Sequence, residues 1–261
     1  MSILFKQPDS ETASAALSWM LHMGDNAVVL SHRASEWCGH GPALEEDIAL
    51  ANTALDLLGQ AQLWLNLAGE LEGKGRDADA LAYHRDGHLY NNALLVELPN
   101  EDIGNTIMRH FLFDAWHTLY LSSLESSSEA RIAEIASKAN KEAAYHLERT
   151  ADLVIKLGDG TDESHQRMQN SLDNLWSYAQ ELTAPLETDA LLSDEGIIPD
   201  ASIIATQWLE SVTPVLLQAT LDIPKSEFKR SGGRLGRHTE HLGYILAEMQ
   251  FLPRAYPGAV W

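Results

Sequence analysis

Apolar residues along this chain recur at three- and four-residue steps almost from end to end, the spacing of α-helices that each bury one face. From residue 12 to about 37, the series Ala16, Leu17, Met20, Leu21, Val28, Leu30 and Ala34 predicts a first helix. Gly39-His40-Gly41 breaks the pattern. Pro42 then suits the first turn of a second helix, with Glu45, Glu46 and Asp47 near its positive end. That helix extends to about residue 71 and carries Leu44, Ile48, Ala51, Leu55, Leu58, Gln62 and Leu65 on one face. Gly73-Lys-Gly-Arg ends it, and a shorter, less regular stretch over residues 78–98 closes at Pro99.

Asn100, ahead of Glu101 and Asp102, reads as the N-cap of a third long helix that ends near residue 125. Ser127 or Ser128 caps a fourth, which runs through residue 157 with Gly158 as its C-terminal glycine. A fifth helix spans about 162–182, a sixth 201–221 with Pro214 as a kink, and a last one 238–252. Val, Ile and Thr never cluster in alternating runs, so no strand is predicted. The weakest joints, 185–199 and 224–236, do not read as flexible linkers. The expectation is one all-α domain over residues 1–261, long enough to bury roughly three quarters of its chain surface.

Charge narrows the classes of partner. Eighteen Lys and Arg against 38 Asp and Glu give a formal charge of −20. A field of that sign repels nucleic-acid phosphates and anionic lipid heads and favours a partner protein with a basic face. Cys38 is the only cysteine, so no intrachain disulfide forms and a reducing cytosol is the natural setting. The opening residues turn polar before any apolar run matures, which does not read as a signal peptide. The longest uncharged runs, 12–24 and 57–69, fall short of the about 20 apolar residues a membrane span needs. A soluble, cytoplasmic protein without nucleic-acid or membrane partners is expected.

Four long helices followed by extra C-terminal ones suggest a helical bundle, whose interior can hold a pair of metal ions, as in ferritin-like di-iron proteins. In the di-iron form of that bundle, two helices each give one Glu and the other two each give Glu-x-x-His. Acidic groups stand in all four helices: Glu36 in the first, Asp56 in the second, Asp114 in the third and Glu142 in the fourth. The histidines do not follow. The two Glu-x-x-His slots read Asp56-x-x-Gly59 and Glu142-x-x-Tyr145. One residue further on stand Gln60, a weak neutral ligand, and His146, which the i,i+4 spacing of other metal sites still admits. Two readings follow. Either these groups form a metal-free buried polar cluster, satisfied by Gln60, Tyr145, His146, His32 or Arg33, or they form an unusual di-metal site built on Glu36, Asp56, Asp114, Glu142 and His146.

At this point the residues resemble a known family. Glu36-Trp-Cys-Gly-His-Gly-Pro-Ala-Leu-Glu-Glu-Asp-Ile-Ala-Leu-Ala-Asn52 and Ala54-Leu-Asp-Leu-Leu-Gly-Gln-Ala61 are similar to the C-subunit family of phenylacetyl-CoA epoxidase. So are Asn92-Ala-Leu-Leu-Val-Glu97, Phe113-Asp-Ala-Trp-His117, Lys141-Glu-Ala-Ala-Tyr-His-Leu147, Gly158-Asp-Gly-Thr161, His238-Thr-Glu-His-Leu-Gly243 and Ala247-Glu-Met-Gln250. The resemblance covers residues 18–261. It implies a ferritin-like fold and a role in aerobic phenylacetate catabolism. In such a system a sister subunit of the same fold binds the di-iron centre and the thioester, a reductase subunit passes on electrons from NADPH, and oxygen is the oxidant. The chain then resembles a decayed copy that pairs with the catalytic subunit and supports it, with no catalytic residue or cofactor of its own. The alternatives are a catalytically competent di-iron subunit and a free-standing storage bundle.

Lys225, Lys229, Arg230, Arg234 and Arg237 crowd around Ser231-Gly-Gly-Arg-Leu-Gly236, the one basic cluster of an acidic chain. It reads either as a contact for coenzyme A phosphates or a partner's acidic edge, Lys229, Arg230, Arg234 and Arg237 leading, or as a solvated loop. His84 with His88, and His238 with His241, have metal-sharing spacings but lie at helix edges without an acidic third ligand, and read as surface or capping residues. Cys38 reads as a buried inert thiol, and Trp64, Trp116, Trp176 and Trp208 as core or interface anchors. No Gly-x-Ser-x-Gly or dinucleotide fingerprint is present.

Overall fold

A computed structural model describes residue 4, residues 10–225 and residues 228–259. Apart from residue 4, the polar opening segment lies outside the described residues. Among those described, all regular structure is helical and no strand forms, as the all-α expectation requires. The helices are α1 (Glu11–Ser35), α2 (Leu44–Glu72), α3 (Ala78–Tyr83), α4 (Leu94–Glu97), α5 (Ile103–Leu124), α6 (Ala130–Gly158), α7 (Asp162–Ala179), α8 (Glu187–Asp194), α9 (Ala201–Gln218), α10 (Glu240–Met249) and α11 (Phe251–Ala255). The chain divides into two compact units: Met1–Pro99 with Ser231–Trp261, and Asn100–Arg230.

In the first unit α1 and α2, 25 and 29 residues long, lie antiparallel. Trp19 meets Trp64 edge to face with ring centroids 5.4 Å apart, and both rings are buried. The helices close on Gly24, where an added Cβ would stand 2.6 Å from the Leu65 side chain. Apart from Leu65, which is buried, the predicted face of α2 is not the core face. Leu50, Leu57, Ala61, Trp64, Leu65 and Ala68 are buried, whereas Leu44, Ile48, Leu55 and Leu58 are 72%, 51%, 66% and 41% exposed. Spacing alone does not tell two apolar rows apart on one helix. The row with the tryptophan and the small alanines packs on α1, and the purely aliphatic row faces out.

The second unit is built on α5 and α6, 22 and 29 residues, also antiparallel, with α7 and α9 packed against them. Trp176 and Trp208 meet at 5.3 Å with their ring planes tilted by 31°, and the Trp208 indole N–H donates to the Leu112 carbonyl at 3.0 Å. Trp64, Trp116, Trp176 and Trp208 are all core residues.

Helix ends depart from expectation where a competing polar contact wins. Pro42 stands two residues before Leu44 rather than in the first turn of α2. The Asp47 carboxylate instead ties that turn, accepting from the backbone N–H of Gly39 at 2.8 Å and of Gly41 at 3.0 Å. The N-cap of α5 is Asp102, which accepts from Asn105 N–H, while Asn100 turns its side-chain oxygen to the buried Arg109. Ser127 and Ser128 donate to the carbonyls of Ile197 and Glu195 instead of capping α6, whose first turn follows Glu129. The 185–199 joint contains α8, and the last predicted helix starts at Glu240, with Thr239 as its cap.

Gly158 is the last residue of α6, not the turn beyond it, and its reason is close packing. A Cβ there would stand 2.5 Å from the Ala219 carbonyl oxygen. Gly158→Ala is therefore expected to cost about 1–3 kcal/mol as an overpacking change, read as a lowered urea midpoint. An unchanged midpoint would mean that α9 yields freely at Ala219.

Candidate functional site

The chemistry-bearing residues of the second unit come from one buried stripe. His110, Asp114 and His117 recur at i, i+4 and i+7 on α5, and α6 places His146 and Thr150 against them. Asp114 is 1% exposed. Its Oδ2 lies 3.1 Å from the Thr150 hydroxyl, which is also 2.8 Å from the His146 carbonyl. A hydroxyl has one proton to give. Thr150 can donate to the carbonyl or to Asp114 Oδ2 but not fully to both, so the buried carboxyl has at most one shared hydrogen bond from it.

Burial pushes the Asp114 carboxyl up to about 8, against smaller opposing effects of the Thr150 hydrogen bond and the Arg149 charge. Burial and then the Arg109, His146 and Arg149 charges hold His110 well below the ordinary imidazole value. Burial and the neighbouring His146 lower His117 to about 3. At pH 7 Asp114 is therefore a neutral acid, and His110 and His117 are neutral imidazoles. Glu142 is half-buried, and Tyr145, which occupies the histidine slot of its helix, turns its ring to solvent at 61% exposure.

The first-unit members are placed differently. Glu36 caps the C-terminus of α1 with 41% of its side chain exposed and pairs with Arg33 at 2.7 Å. Arg33 in turn donates to the Glu97 carbonyl from Nε at 3.3 Å and from Nη2 at 2.7 Å. Asp56 is half-buried and Gln60 is buried, both on α2. His32 is lowered by burial. Among the described residues, no group of three His, Cys, Asp or Glu side chains is placed to hold one metal ion. With Gly59 and an outward Tyr145 in the two histidine slots, these residues do not fit a ferritin-type di-iron donor set.

Two networks of the first unit were not legible in the sequence. Asp25, wholly buried in α1, forms an ion pair with buried Arg85 and accepts from Asn91 N–H at 2.8 Å. Glu97, equally buried, accepts from Asn92 Nδ2 at 2.9 Å, from Thr239 N–H at 2.6 Å and from His238 Nδ1 at 2.8 Å. The other ring nitrogen of His238 donates to the Tyr90 carbonyl at 2.9 Å. Both partners are acceptors, so the ring is an imidazolium. Its pKa is raised, because the hydrogen bonds to Glu97 and Tyr90 together outweigh burial, the largest single influence. This corrects the surface reading of His238: an acid 141 residues away pairs with it. His84 and His88 are exposed, as expected. Cys38, expected to be buried, is exposed in the turn after α1.

The glycines of the basic segment serve packing. A Cβ at Gly233 would stand 2.1 Å from the Asn92 carbonyl oxygen, and one at Gly236, whose φ is +71°, 2.3 Å from that of His88. Arg234 is half-buried and Arg237 exposed in the first unit. In the second unit, exposed Lys229 precedes Arg230, which lies over the rings of Tyr178 and Phe228 at 4.9 and 5.5 Å.

All-helical units that carry this acid-and-histidine stripe define a class, and comparison with known families identifies it. Residues 5–261 match the phenylacetic acid catabolic protein family, and the chain belongs to that family. Among curated proteins it is 46% identical over 244 residues to the C subunit of the 1,2-phenylacetyl-CoA epoxidase of Escherichia coli (strain K12), a match that spans 94% of this chain and 98% of that protein. Among the described residues, no helix is long and apolar enough to cross a membrane.

Proposed function

We propose that this chain is the structural subunit of a cytoplasmic phenylacetyl-CoA epoxidase, acting in phenylacetate catabolism by pairing with a di-iron catalytic subunit of the same fold. The observation that carries the reading is 46% identity to the C subunit of such an epoxidase over nearly the whole of both chains. Gly59 and the outward Tyr145 support the non-catalytic half of it: a di-iron bundle takes two imidazoles from its Glu-x-x-His slots, where this chain has a glycine and a phenol in solvent. Iron, the thioester site and the electrons delivered from NADPH by a reductase then belong to partner subunits.

Elemental analysis of the chain purified after iron-rich expression tests this. Iron far below one per chain is expected, together with no oxidation of phenylacetyl-CoA by the chain with reductase and NADPH, and turnover once the catalytic subunit is added. Close to two irons per chain, with turnover abolished by Glu142→Ala, would instead establish a working di-metal site on Glu36, Asp56, Asp114, Glu142 and His146.

A further inference from the structure

The outward row of α2 is an apolar surface that its own chain leaves uncovered. Leu44, Ile48, Leu55 and Leu58 are all more than two fifths exposed. The row continues through Gly59 and Gln62 into a groove of about 240 Å³ floored by Ala61 and walled by Tyr83.

Gly59 is the second observation. It lies inside a 29-residue helix, where glycine costs about 1 kcal/mol relative to alanine. At Gly24 and Gly69 the fold explains the glycine, since a Cβ would stand 2.6 Å from Leu65 and 2.0 Å from the Arg76 carbonyl oxygen. At Gly59 a Cβ would meet nothing within 4 Å, and φ is not positive. Nothing within the chain needs the missing side chain, but a helix from another molecule that crosses closely there does.

Charge says which kind of helix. Between Ala34 and Gly73 there are seven Asp and Glu and no Lys or Arg. A second copy would bring these carboxylates onto one another, on chains that each carry −20. A partner helix with an apolar ridge flanked by Lys and Arg meets both the row and its rim.

We propose that the outward face of α2, from Leu44 to Gln62, is the docking face for such a helix of a different chain, its ridge crossing at Gly59 and its basic flanks meeting Glu45, Glu46 and Asp56. On the structural-partner reading above, on which this rests, that chain is the di-iron catalytic one.

Titration calorimetry of the purified chain against the di-iron subunit of a phenylacetyl-CoA epoxidase tests it. Leu55→Glu and Leu58→Glu are expected to weaken binding at least about 30-fold, the loss typical of a central interface residue. Gly59→Leu should weaken it similarly while leaving the melting temperature of the free chain unchanged or higher, a signature that misfolding cannot mimic. Asp56→Lys should weaken binding and flatten its salt dependence. If the wild-type chain does not bind the di-iron subunit, the structural-partner reading fails and this one with it. If the wild type binds and all four variants bind equally well, the docking face lies elsewhere and only this inference falls. If the wild-type chain is a dimer that Leu55→Glu splits, a second copy is the occupant and the proposal is overturned.

Discussion

Asp25→Ala is expected to destabilise the protein by about 3–5 kcal/mol, the loss seen when one member of a buried ion pair is removed. Asp25 is wholly buried on α1, and Arg85 is 2% exposed on its side chain. Besides the carboxylate, Arg85 holds the carbonyls of Leu81 at 2.5 Å and Leu89 at 2.9 Å, and its guanidinium lies 4.5 Å from the centre of the Tyr90 ring. These neutral partners orient the cation but do not neutralise it. Burial works against the Arg85 charge, and Asp25 is what reverses that effect and leaves its pKa raised.

The Asp25 substitution strands a charge and also frees the Asn91 N–H. It loosens a wider set of contacts, because Gln250 and Arg254 hold the 231–261 segment by donating to the Arg85 carbonyl at 2.9 and 2.8 Å. The measurement is the urea midpoint of the chain, with limited proteolysis to show whether the 231–261 segment becomes cleavable. A double change, Asp25→Leu with Arg85→Met, removes both charges together and should cost much less than Asp25→Ala alone, since no unpaired ion remains. A loss below about 1 kcal/mol for Asp25→Ala would falsify the view that the pair is closed to water.

The contrast between Asp25 and α2 explains which features could be read in advance. Helix identity was legible because periodicity is local: α1, α2, α5, α6, α7 and α9 all lie within a few residues of their expected places. Their caps were less so, since Asn100, Ser127 and Ser128 are good capping residues that the fold commits to Arg109, Ile197 and Glu195 instead. Which apolar row of α2 faces inward was not legible at all. Both rows have helical period, and only the tertiary partner of Trp64 decides between them.

The site shows the same division. Asp114 and His146 could be found because they belong to a known spacing on two helices. His110 was missed although it stands one turn from Asp114, because a Glu-x-x-His template does not register a histidine preceding its acid. Asp25 with Arg85, and Glu97 with His238, join residues 60 and 141 positions apart. No local pattern marks such pairs. The only sequence signal was an unusual one, charged residues inside apolar stretches such as Asn92-Ala-Leu-Leu-Val-Glu97.

Asp114→Asn is expected to act oppositely to Asp25→Ala: near pH 7 it should stabilise the chain. In the folded protein Asp114 titrates at about 8, against an ordinary 3.8. Its raised pKa means that the group's full contribution is present below about pH 4. It is lost as the pH rises towards 8, because the unfolded chain ionises first and the fold must hold the proton. Taken alone, the cost at pH 7 is on the order of 4 kcal/mol, at 1.36 kcal/mol per pH unit. Asparagine has the shape of the protonated acid, and its amide oxygen can accept from the Thr150 hydroxyl as the carboxyl does, so it keeps the hydrogen bond and removes the titration.

His110 and His117 pull the other way. Their lowered values cost stability as the pH falls below 6.5, and they do so equally in both proteins, so they cancel in the comparison. The measurement is the unfolding midpoint of wild type and Asp114→Asn across pH 4.5–8. The two curves should draw together towards the acid end and separate steadily towards pH 8, with the asparagine variant the more stable. Parallel curves would mean that Asp114 is ionised in the fold. The buried stripe would then carry an anionic oxygen beside His146 in the folded chain.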